Sequence, residues 1–143
     1  AGSGSVSIEW CRTNKNVKAI AFEKNELRIQ NIMQNMLKFG LNNQLKIVKT
    51  ELPKIPENIE QPDAVFIGGG LSSSLLSKIW KLVKPGTKIV VTAVTLESER
   101  ILLKWNNEKG GKLIKVAISQ AEKLGTKSGW KYNMPLIQWS ITK

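Results

Sequence analysis

Glycines at positions 2 and 4 open this chain, and its first clear run of strand-forming residues, VKAIAFE, ends in an acid, Glu23. Glu23 lies 19 positions after Gly4. In a βαβ unit, glycines after the first strand let the backbone approach a ligand, and they open a helix whose N–H groups face that ligand. An acid about 20 residues further on accepts hydrogen bonds from ribose hydroxyls. The pairing predicts a nucleotide-type cofactor site and therefore an α/β fold.

The spacing of the two glycines distinguishes between two classes of cofactor. The dinucleotide motif G-x-G-x-x-G/A would place its third small residue at Ser7, which departs from the pattern. Enzymes that use S-adenosylmethionine carry G-x-G-x-G, and Gly2 and Gly4 fit its last two positions if one more glycine precedes Ala1. We therefore expect Gly2, Ser3 and Gly4 to bind S-adenosylmethionine. A stretch of glycine and serine at a chain start is equally typical of a linker.

The composition limits the chemistry that is open to this chain. At 143 residues, 41% of them apolar, residues 1–143 are predicted to form one globular domain. Histidine is absent, which removes the mechanisms and the zinc sites that need imidazole, and we expect no bound metal. Cys11, the one cysteine, has apolar neighbours and is interpreted as a core residue. We expect a cytoplasmic protein, because no apolar run reaches the roughly 20 residues of a membrane helix.

A net charge of +11 results from 22 Lys and Arg against 11 Asp and Glu. Such a charge favours a polyanionic partner, of which nucleic acid is the commonest. The lysines are spread along the chain, however, without an arginine-rich patch among aromatic residues. A small substrate with several carboxylates suits the charge equally well. Solvated surface lysines are the simplest alternative.

Strand-like and helix-like segments alternate along the chain, which predicts a Rossmann-like α/β sheet with helices on both faces. Strands are expected at 17–22, 45–49, 64–67, 88–94, 112–119 and 136–142. A glycine loop of this kind follows a strand, and that strand would be central in the sheet. We therefore expect that the first strand is absent from the given chain and that the natural protein extends beyond Ala1.

Helices are expected between these strands. Asn25 is a candidate cap for the first of them, which ends at Gly40, and Ser72 or Ser73 is a candidate cap for the next. The first helix carries an apolar stripe that we expect to be core: Ile29, Ile32, Met33, Met36 and Leu37. The segment between the last two strands contains Trp130 and is interpreted as a polar loop.

Four features are expected at the carboxyl ends of the strands, where open α/β sheets bind ligands. They are the loop 2–5, Glu23 after the second strand, Glu51 after the third, and Gly68–Gly70 after the fourth, counting the absent strand as the first. Glu51 is a candidate acceptor for the adenine amino group, although a solvated loop acid is equally consistent with its position. Three consecutive glycines after a buried strand indicate close approach or positive φ angles. Together these features predict a class I S-adenosylmethionine methyltransferase.

Longer segments carry a more specific resemblance. AGSGSVSIEW, DAVFIGGG, VTAVTLESE, VAISQAEKLG and GWKYNMPLIQWSITK, in this order, resemble the C-terminal methyltransferase domain of the precorrin-6Y 5,15-methyltransferase (decarboxylating) family and its stand-alone relatives. The resemblance implies an enzyme of cobalamin biosynthesis that methylates a meso carbon of a precorrin and decarboxylates an acetate side chain. It implies that Gly2, Gly4, Glu23 and Glu51 bind the methyl donor. The chain departs from the family pattern at its start, where the first strand and the leading acid and glycine are missing.

The resemblance also implies a substrate and partners. A precorrin carries many carboxylates, which gives the positive charge a specific meaning. We expect Gly68 to contact the cofactor, and the candidates for substrate binding are Gly69, Gly70, Arg100, Lys127 and Lys131. Relatives imply a homo-oligomer, with a tetramer as the candidate state, and an upstream second methyltransferase domain stays open.

Two alternatives to this function stay open at the level of sequence. One is a tRNA or RNA methyltransferase, which would be expected to show an added RNA-binding domain or a dense basic strip. The other is a non-catalytic basic binding module, which the truncated glycine loop favours.

Overall fold

A computed structural model describes residues 1–56 and 58–143 of the chain. The chain divides into two compact units, Ala1–Ile59 and Glu60–Lys143. Helices and strands alternate through most of both units, so the predicted α/β class is confirmed. The single domain expected over 1–143 stays a prediction. No helix in the described ranges combines the length and apolar character needed to cross a membrane.

The first unit consists of two helices and two parallel strands. In chain order they are α1 (Ser5–Thr13), β1 (Ala19–Glu23), α2 (Glu26–Lys38) and β2 (Leu45–Lys49). Ala19 lies opposite Leu45 and Glu23 opposite Lys49, so the two strands end at the same edge. The core of the unit is formed by Ile8, Cys11, Ala19, Ala21, Ile32, Leu41 and Leu45, which confirms the interpretation of Cys11.

Helix α2 begins and ends where its capping residues predict. The Asn25 side chain accepts a hydrogen bond from the Arg28 N–H at 3.1 Å, and Gly40 has a φ of 65° just after the helix. The apolar stripe is only partly core: Ile29 and Ile32 are buried, whereas Met33 and Leu37 are 47% and 61% exposed. The expectation is therefore wrong for these two residues.

The reason for the partial burial is the angular width of the stripe. At about 100° per residue, Ile29, Ile32 and Met36 lie within an arc of roughly 60°, and this arc faces the strands. Met33 and Leu37 lie about 40° and 80° beyond that arc, on the side of Ile29 away from Ile32. The five apolar residues at helical spacing thus form a face of the helix that is wider than the part buried in this unit.

The second unit contains a four-stranded mixed sheet in the order β3, β4, β8, β5. Its elements are β3 (Ala64–Ile67), α3 (Ser73–Leu82), β4 (Lys88–Ala93), α4 (Leu96–Lys109), β5 (Lys112–Val116), β6 (Ser119–Leu124), β7 (Lys127–Tyr132) and β8 (Leu136–Thr142). Strands β3 and β4 are parallel, whereas β8 runs antiparallel to both β4 and β5. The carboxyl ends of β3, β4 and β5 therefore lie at one edge of the sheet.

Side-chain caps and aromatic contacts fix the helices of this unit. Ser72, one of the two expected caps, accepts a hydrogen bond from the Leu75 N–H at 3.1 Å. Three tryptophans pack edge to face, with Trp105 centred 5.8 Å from Trp80 and 6.1 Å from Trp139. Because Trp139 is fully buried, this cluster joins α3 and α4 to β8.

The segment interpreted as a polar loop is a β-hairpin, so that interpretation is wrong. Strands β6 and β7 pair in antiparallel register from Ser119 opposite Tyr132 to Leu124 opposite Lys127. The two-residue connection begins at Gly125, whose φ is 63°. A glycine at the first position of a two-residue turn is a hairpin signal. The signal is easily missed because β6, SQAEKL, is exposed along its whole length and lacks an apolar face of its own.

Candidate functional site

Loop 2–5 adopts a conformation that requires glycine at position 4. Gly2 and Gly4 have φ angles of 63° and 79°, in the left-handed region that other residues rarely enter. Gly4 is also buried, and a Cβ atom there would lie 2.9 Å from the Cγ2 atom of Ile32 on α2. Nothing lies within 4 Å of the corresponding position on Gly2. Glycine is therefore required at position 4 by both the backbone conformation and the contact with Ile32, whereas at position 2 the backbone conformation alone requires it.

The loop leads directly into the N-terminus of α1. Within residues 1–56 and 58–143, no side chain caps this helix, and its first turn contains no acid. The first N–H groups of a helix have no acceptor within it, and they favour an electron-rich ligand atom. Asn35 supports the loop from α2, because its side-chain amide donates to the Ser3 carbonyl at 3.1 Å. The Ser3 side chain itself is exposed.

Glu23 is the only buried acidic side chain in the described part of the chain, with 6% of its surface exposed. Its Oε2 atom accepts hydrogen bonds from the Ala1 amino group and from the Gly2 N–H, the latter at 3.0 Å. Its Oε1 atom accepts from the N–H groups of Lys24 and Asn25, both at 3.0 Å. The carboxylate thus joins loop 2–5 to the end of β1 and the start of α2.

These hydrogen bonds determine the charge state of Glu23. Burial by itself raises the pKa of a carboxyl group, because it disfavours the charged form. Hydrogen bonds from the Ala1 nitrogen, Asn25 and Gly2 outweigh burial and lower the pKa of Glu23. Glu23 is therefore ionised at neutral pH and acts as a pure acceptor. Such a group suits the hydroxyls of a ribose.

Glu51 has a very different environment, although it follows the neighbouring strand. Its carboxylate accepts a hydrogen bond from the Lys24 ammonium group at 2.7 Å, and 64% and 66% of the two side chains are exposed. The hydrogen bond from Lys24, followed by the charge of Lys24, lowers the pKa of Glu51. A second ion pair, between Lys49 and Glu26, lies at the same strand ends. The structure therefore links Glu51 to Glu23 through Lys24, the residue that follows Glu23.

Two residues of this region were absent from the sequence predictions. Lys24 holds Glu51, and its position directly after the motif acid is the signal that points to it. Asn35 holds the carbonyl of Ser3 from the middle of α2, and a single asparagine within a helix gives no such signal. Together with Gly2, Gly4 and Glu23, these residues fix the loop that leads into the N-terminus of α1 and place a carboxylate against it. This donor and acceptor set fits a nucleoside-type ligand.

Gly68–Gly70 follow β3 directly, in the second unit. Gly70 has a φ of 67°, and a Cβ atom on Gly68 would lie 2.7 Å from the Phe66 ring. The expectation of positive φ or close approach at this turn is confirmed. All three glycines are exposed, and an added Cβ on Gly69 or Gly70 would have nothing within 4 Å. The turn therefore presents open backbone at the edge where β3 and β4 end.

The three basic candidates lie on two different elements of the second unit. Arg100 is exposed on α4, and Lys127 and Lys131 are exposed on β7. Lys131 donates to the Glu122 carboxylate at 2.9 Å across the hairpin. In the described ranges, no hydrogen bond or ion pair joins any of the three to Gly68–Gly70. Their role in binding carboxylates stays a prediction.

Comparison with known proteins is consistent with this geometry. The family model "Precorrin methyltransferase domain" matches residues 1–143. The chain is 38% identical over 143 residues to the precorrin-6Y C(5,15)-methyltransferase (decarboxylating) of a Sinorhizobium species, which covers 99% of the chain and 34% of the relative. The protein of the same name from Mycobacterium tuberculosis is 35% identical over 144 residues, covering 100% of the chain and 36% of the relative.

A solved structure shares both the sequence and the fold. The C-terminal domain of precorrin-6Y C5,15-methyltransferase from Rhodobacter capsulatus aligns with a TM-score of 0.94 and 42% identity. The alignment covers 99% of this chain and 76% of that one. The chain spans about a third of the length of the two curated relatives named above. Since the family model matches every residue from 1 to 143, the chain belongs to the family of precorrin methyltransferase domains.

Proposed function

We propose that this chain binds S-adenosylmethionine and transfers its methyl group to a meso carbon of a precorrin, with decarboxylation of an acetate side chain, as a step of cobalamin biosynthesis. The observation that carries the proposal is the buried Glu23 carboxylate, whose Oε2 atom lies 3.0 Å from the Gly2 nitrogen in the glycine loop that leads into α1. Family membership gives this cofactor-type site its chemical context.

The first unit is proposed to hold the nucleoside part of the methyl donor. Loop 2–5 would lie beside the ligand, Glu23 would accept hydrogen bonds from ribose hydroxyls, and Glu51 would accept one from the adenine amino group. Lys24 limits the freedom of Glu51 by holding one of its oxygens. When bound, the cofactor supplies a methyl group activated by a positively charged sulfur. The proposed cofactor contact of Gly68, in the second unit, stays a prediction.

The second unit is proposed to line the substrate. Gly69 and Gly70 present open backbone, and Arg100, Lys127 and Lys131 provide cations for the acetate and propionate groups of a precorrin. The protein contributes mainly by aligning the two reactants and excluding water, since methyl transfer to carbon has no obligatory strong base. The precorrin ring can act as its own electron sink during decarboxylation. This account agrees with a chain that has no histidine.

We also propose a cytoplasmic, homo-oligomeric enzyme, with a tetramer as the candidate state. The chain spans 34% and 36% of the two curated relatives, and we propose that a second methyltransferase domain is fused upstream of it. Family membership favours a tetrapyrrole over RNA as substrate.

Calorimetric titration of S-adenosylhomocysteine tests the cofactor site directly. We expect binding to the unaltered protein, at least about a tenfold loss of affinity in Glu23→Gln, and no loss in Glu9→Gln. Glu9 is the matched control because it is an exposed acid on α1 whose partner is Arg12. Absence of binding to the folded protein would overturn the proposal. An equal loss in both variants would remove Glu23 from the site.

The reaction itself is tested with methyl-labelled S-adenosylmethionine and a precorrin-6 substrate. The expected product gains one labelled methyl group and loses one carbon dioxide, as measured by mass spectrometry. Methylation without loss of carbon dioxide would retain the transferase and reject the decarboxylation. Labelling of tRNA with no labelling of the precorrin would overturn the proposed substrate.

A further inference from the structure

The four-stranded sheet of the second unit has one edge whose connections carry no charged residue. This edge, here called the carboxyl edge, is where β3, β4 and β5 end and where the antiparallel β8 begins. Its connections are residues 68–72, 94–95, 117–118 and 133–135. None of them contains an acid or a base, in a chain of which 23% is charged. The carboxyl edge therefore differs from the rest of a strongly basic surface.

The opposite edge of the same sheet is rich in lysine. Lys84 and Lys88 flank the turn into β4, Lys109 and Lys112 flank the turn into β5, and Lys143 follows β8. Open α/β sheets bind ligands outside the carboxyl ends of their strands. The edge that is placed to hold a substrate is therefore the uncharged one.

Large apolar side chains are exposed at the carboxyl edge. Val94 directly follows β4 and is 49% exposed, and Leu96, the first residue of α4, is 79% exposed. The neighbouring strand β3 ends in the turn Gly68–Gly70, whose backbone is open. Contiguous exposed apolar surface is typical of a ligand groove or an interaction site. Val94 and Leu96 thus extend the open turn into an apolar surface.

Arg100 lies one turn along α4 from Leu96, on the same side of the helix. The other two cations of α4 have partners. Lys104 forms an ion pair within the helix, and the Lys109 ammonium group lies 5.6 Å from the centre of the Trp80 ring. Arg100 has neither kind of partner among residues 1–56 and 58–143. An exposed guanidinium group therefore stands beside the apolar surface, where a carboxylate of a ligand can reach it.

We propose that the carboxyl edge binds the ring of the tetrapyrrole substrate against Val94 and Leu96, while Arg100 binds one of its peripheral carboxylates. This role rests on the function proposed above and adds the apolar side chains that recognise the ring. A carboxylated tetrapyrrole has a largely apolar ring with its carboxylates at the rim, so it needs uncharged contacts at the centre and cations further out. An RNA chain would instead need cations at the edge itself to meet its phosphates.

The length of the edge agrees with a ligand of this size. Adjacent strands lie about 4.8 Å apart, so the three intervals from β3 to β5 span about 14 Å. A ligand of a few atoms would contact one or two strand ends, whereas a macrocycle reaches several of them. The uncharged character of all four connections is therefore consistent with one large ligand.

Steady-state methylation of a precorrin-6 substrate tests the apolar contacts. In Val94→Ser/Leu96→Ser we expect the KM for the precorrin to rise at least about tenfold, because the substrate covers less apolar area. The kcat should change by less than about twofold, since these contacts are the same in the ground state and the transition state. Leu37→Ser is the matched control: Leu37 is 61% exposed in the last turn of α2, and its loss should change the KM by less than about twofold.

Two further variants separate the apolar contact from the charge. Leu96→Met keeps an apolar side chain of similar volume, so the KM should stay within about twofold of that of the unaltered protein. Arg100→Gln should raise the KM about tenfold at low salt and make it less sensitive to added NaCl. Val94→Ser/Leu96→Ser should keep the salt sensitivity of the unaltered protein. Salt sensitivity that is lost in this double variant and kept in Arg100→Gln would overturn the two roles.

The results distinguish a wrong binding surface from a wrong substrate. If the unaltered protein methylates the precorrin and Val94→Ser/Leu96→Ser leaves the KM unchanged, the binding surface is wrong and the proposed function stands. If the unaltered protein binds S-adenosylhomocysteine but methylates no precorrin, the proposed substrate is wrong, and so is its binding surface. If the double variant changes the sedimentation coefficient and leaves the KM unchanged, the apolar surface belongs to a contact between copies and the proposal is overturned. Calorimetric titration of S-adenosylhomocysteine into each variant checks that the cofactor site is intact.

Discussion

Two glutamates stand near the ends of adjacent parallel strands in the first unit, and they have opposite environments. Glu23 is 6% exposed and accepts four hydrogen bonds, three from backbone N–H groups and one from the Ala1 amino group. Glu51 is 64% exposed and is held by one flexible lysine. Glu23 is thus a buried residue that holds parts of the fold together, whereas Glu51 is a surface residue with a single side-chain contact.

This difference indicates how a cofactor loop is kept in shape. A loop with two positive-φ glycines is free to adopt several conformations. The buried Glu23 carboxylate restricts it by accepting hydrogen bonds from the Gly2 N–H and from the adjoining Ala1 nitrogen. The acceptor is then in place before any ligand arrives, which reduces the cost of ordering on binding. Glu51 requires no such arrangement, because exposed ion pairs contribute little to folding.

The largest expected effect is that of Glu23→Gln. The amide would turn an N–H₂ group toward backbone N–H donors and would leave buried donors without an acceptor. We expect the free energy of unfolding to fall by about 2–4 kcal/mol, as measured by urea denaturation. Glu9→Gln should leave it unchanged within error. If the free energy of unfolding fell no more in Glu23→Gln than in Glu51→Gln, the proposed difference between the two glutamates would be wrong.

Gly4→Ala is expected to have the next largest effect. A left-handed conformation costs a non-glycine residue about 1–2 kcal/mol, and the new methyl group would also press on Ile32 at 2.9 Å. Gly2→Ala carries the first cost but meets nothing within 4 Å, so it is the matched control. Denaturation should rank Gly4→Ala as the more destabilised variant. Equal losses of stability in the two variants would mean that the Ile32 side chain moves aside without measurable cost.

Lowering the pH should reduce the contribution of Glu23 to the free energy of unfolding. Because the pKa of Glu23 is lowered in the folded state below the ordinary 4.5, its contribution to stability is fully present above pH 4.5. That contribution is lost as the pH falls below 4.5 through the lowered pKa. The dependence of unfolding free energy on pH in this window should be weaker in Glu23→Gln than in the unaltered protein. An unchanged dependence would place the acid sensitivity in other carboxylates.

The sequence was sufficient for the parts of the fold that are set locally. Asn25 and Ser72 cap their helices as expected, and Gly40 ends α2, because capping depends on a few neighbouring residues. The same locality explains the correct expectation of unusual backbone at Gly68–Gly70. Family membership was also predictable, since it rested on long segments in a fixed order.

The failures have a common physical origin in tertiary context. Whether Met33 and Leu37 are buried depends on how many strands α2 covers. The helical spacing of apolar residues carries no information about that number. The hairpin was missed because its amphipathic character exists only across the two paired strands. The hydrogen bond from Asn35 joins it to a residue 32 positions away, and no local pattern records it. Lys24 follows the motif acid, but its partner Glu51 lies 27 positions away.

The smallest effect on folding is expected at Glu51. Measuring stability and ligand binding separately at this residue makes its difference from Glu23 more precise. Glu51→Gln and Lys24→Met should leave the urea midpoint unchanged, because the ion pair is exposed and screened by salt. If Glu51 accepts a hydrogen bond from the adenine amino group, Glu51→Gln should weaken S-adenosylhomocysteine by about tenfold or less. S-inosylhomocysteine lacks that amino group, so its affinity should change little in the same variant. Equal weakening of both ligands would mean that Glu51 acts through general charge, whereas a lowered midpoint would show that it belongs to the framework together with Glu23.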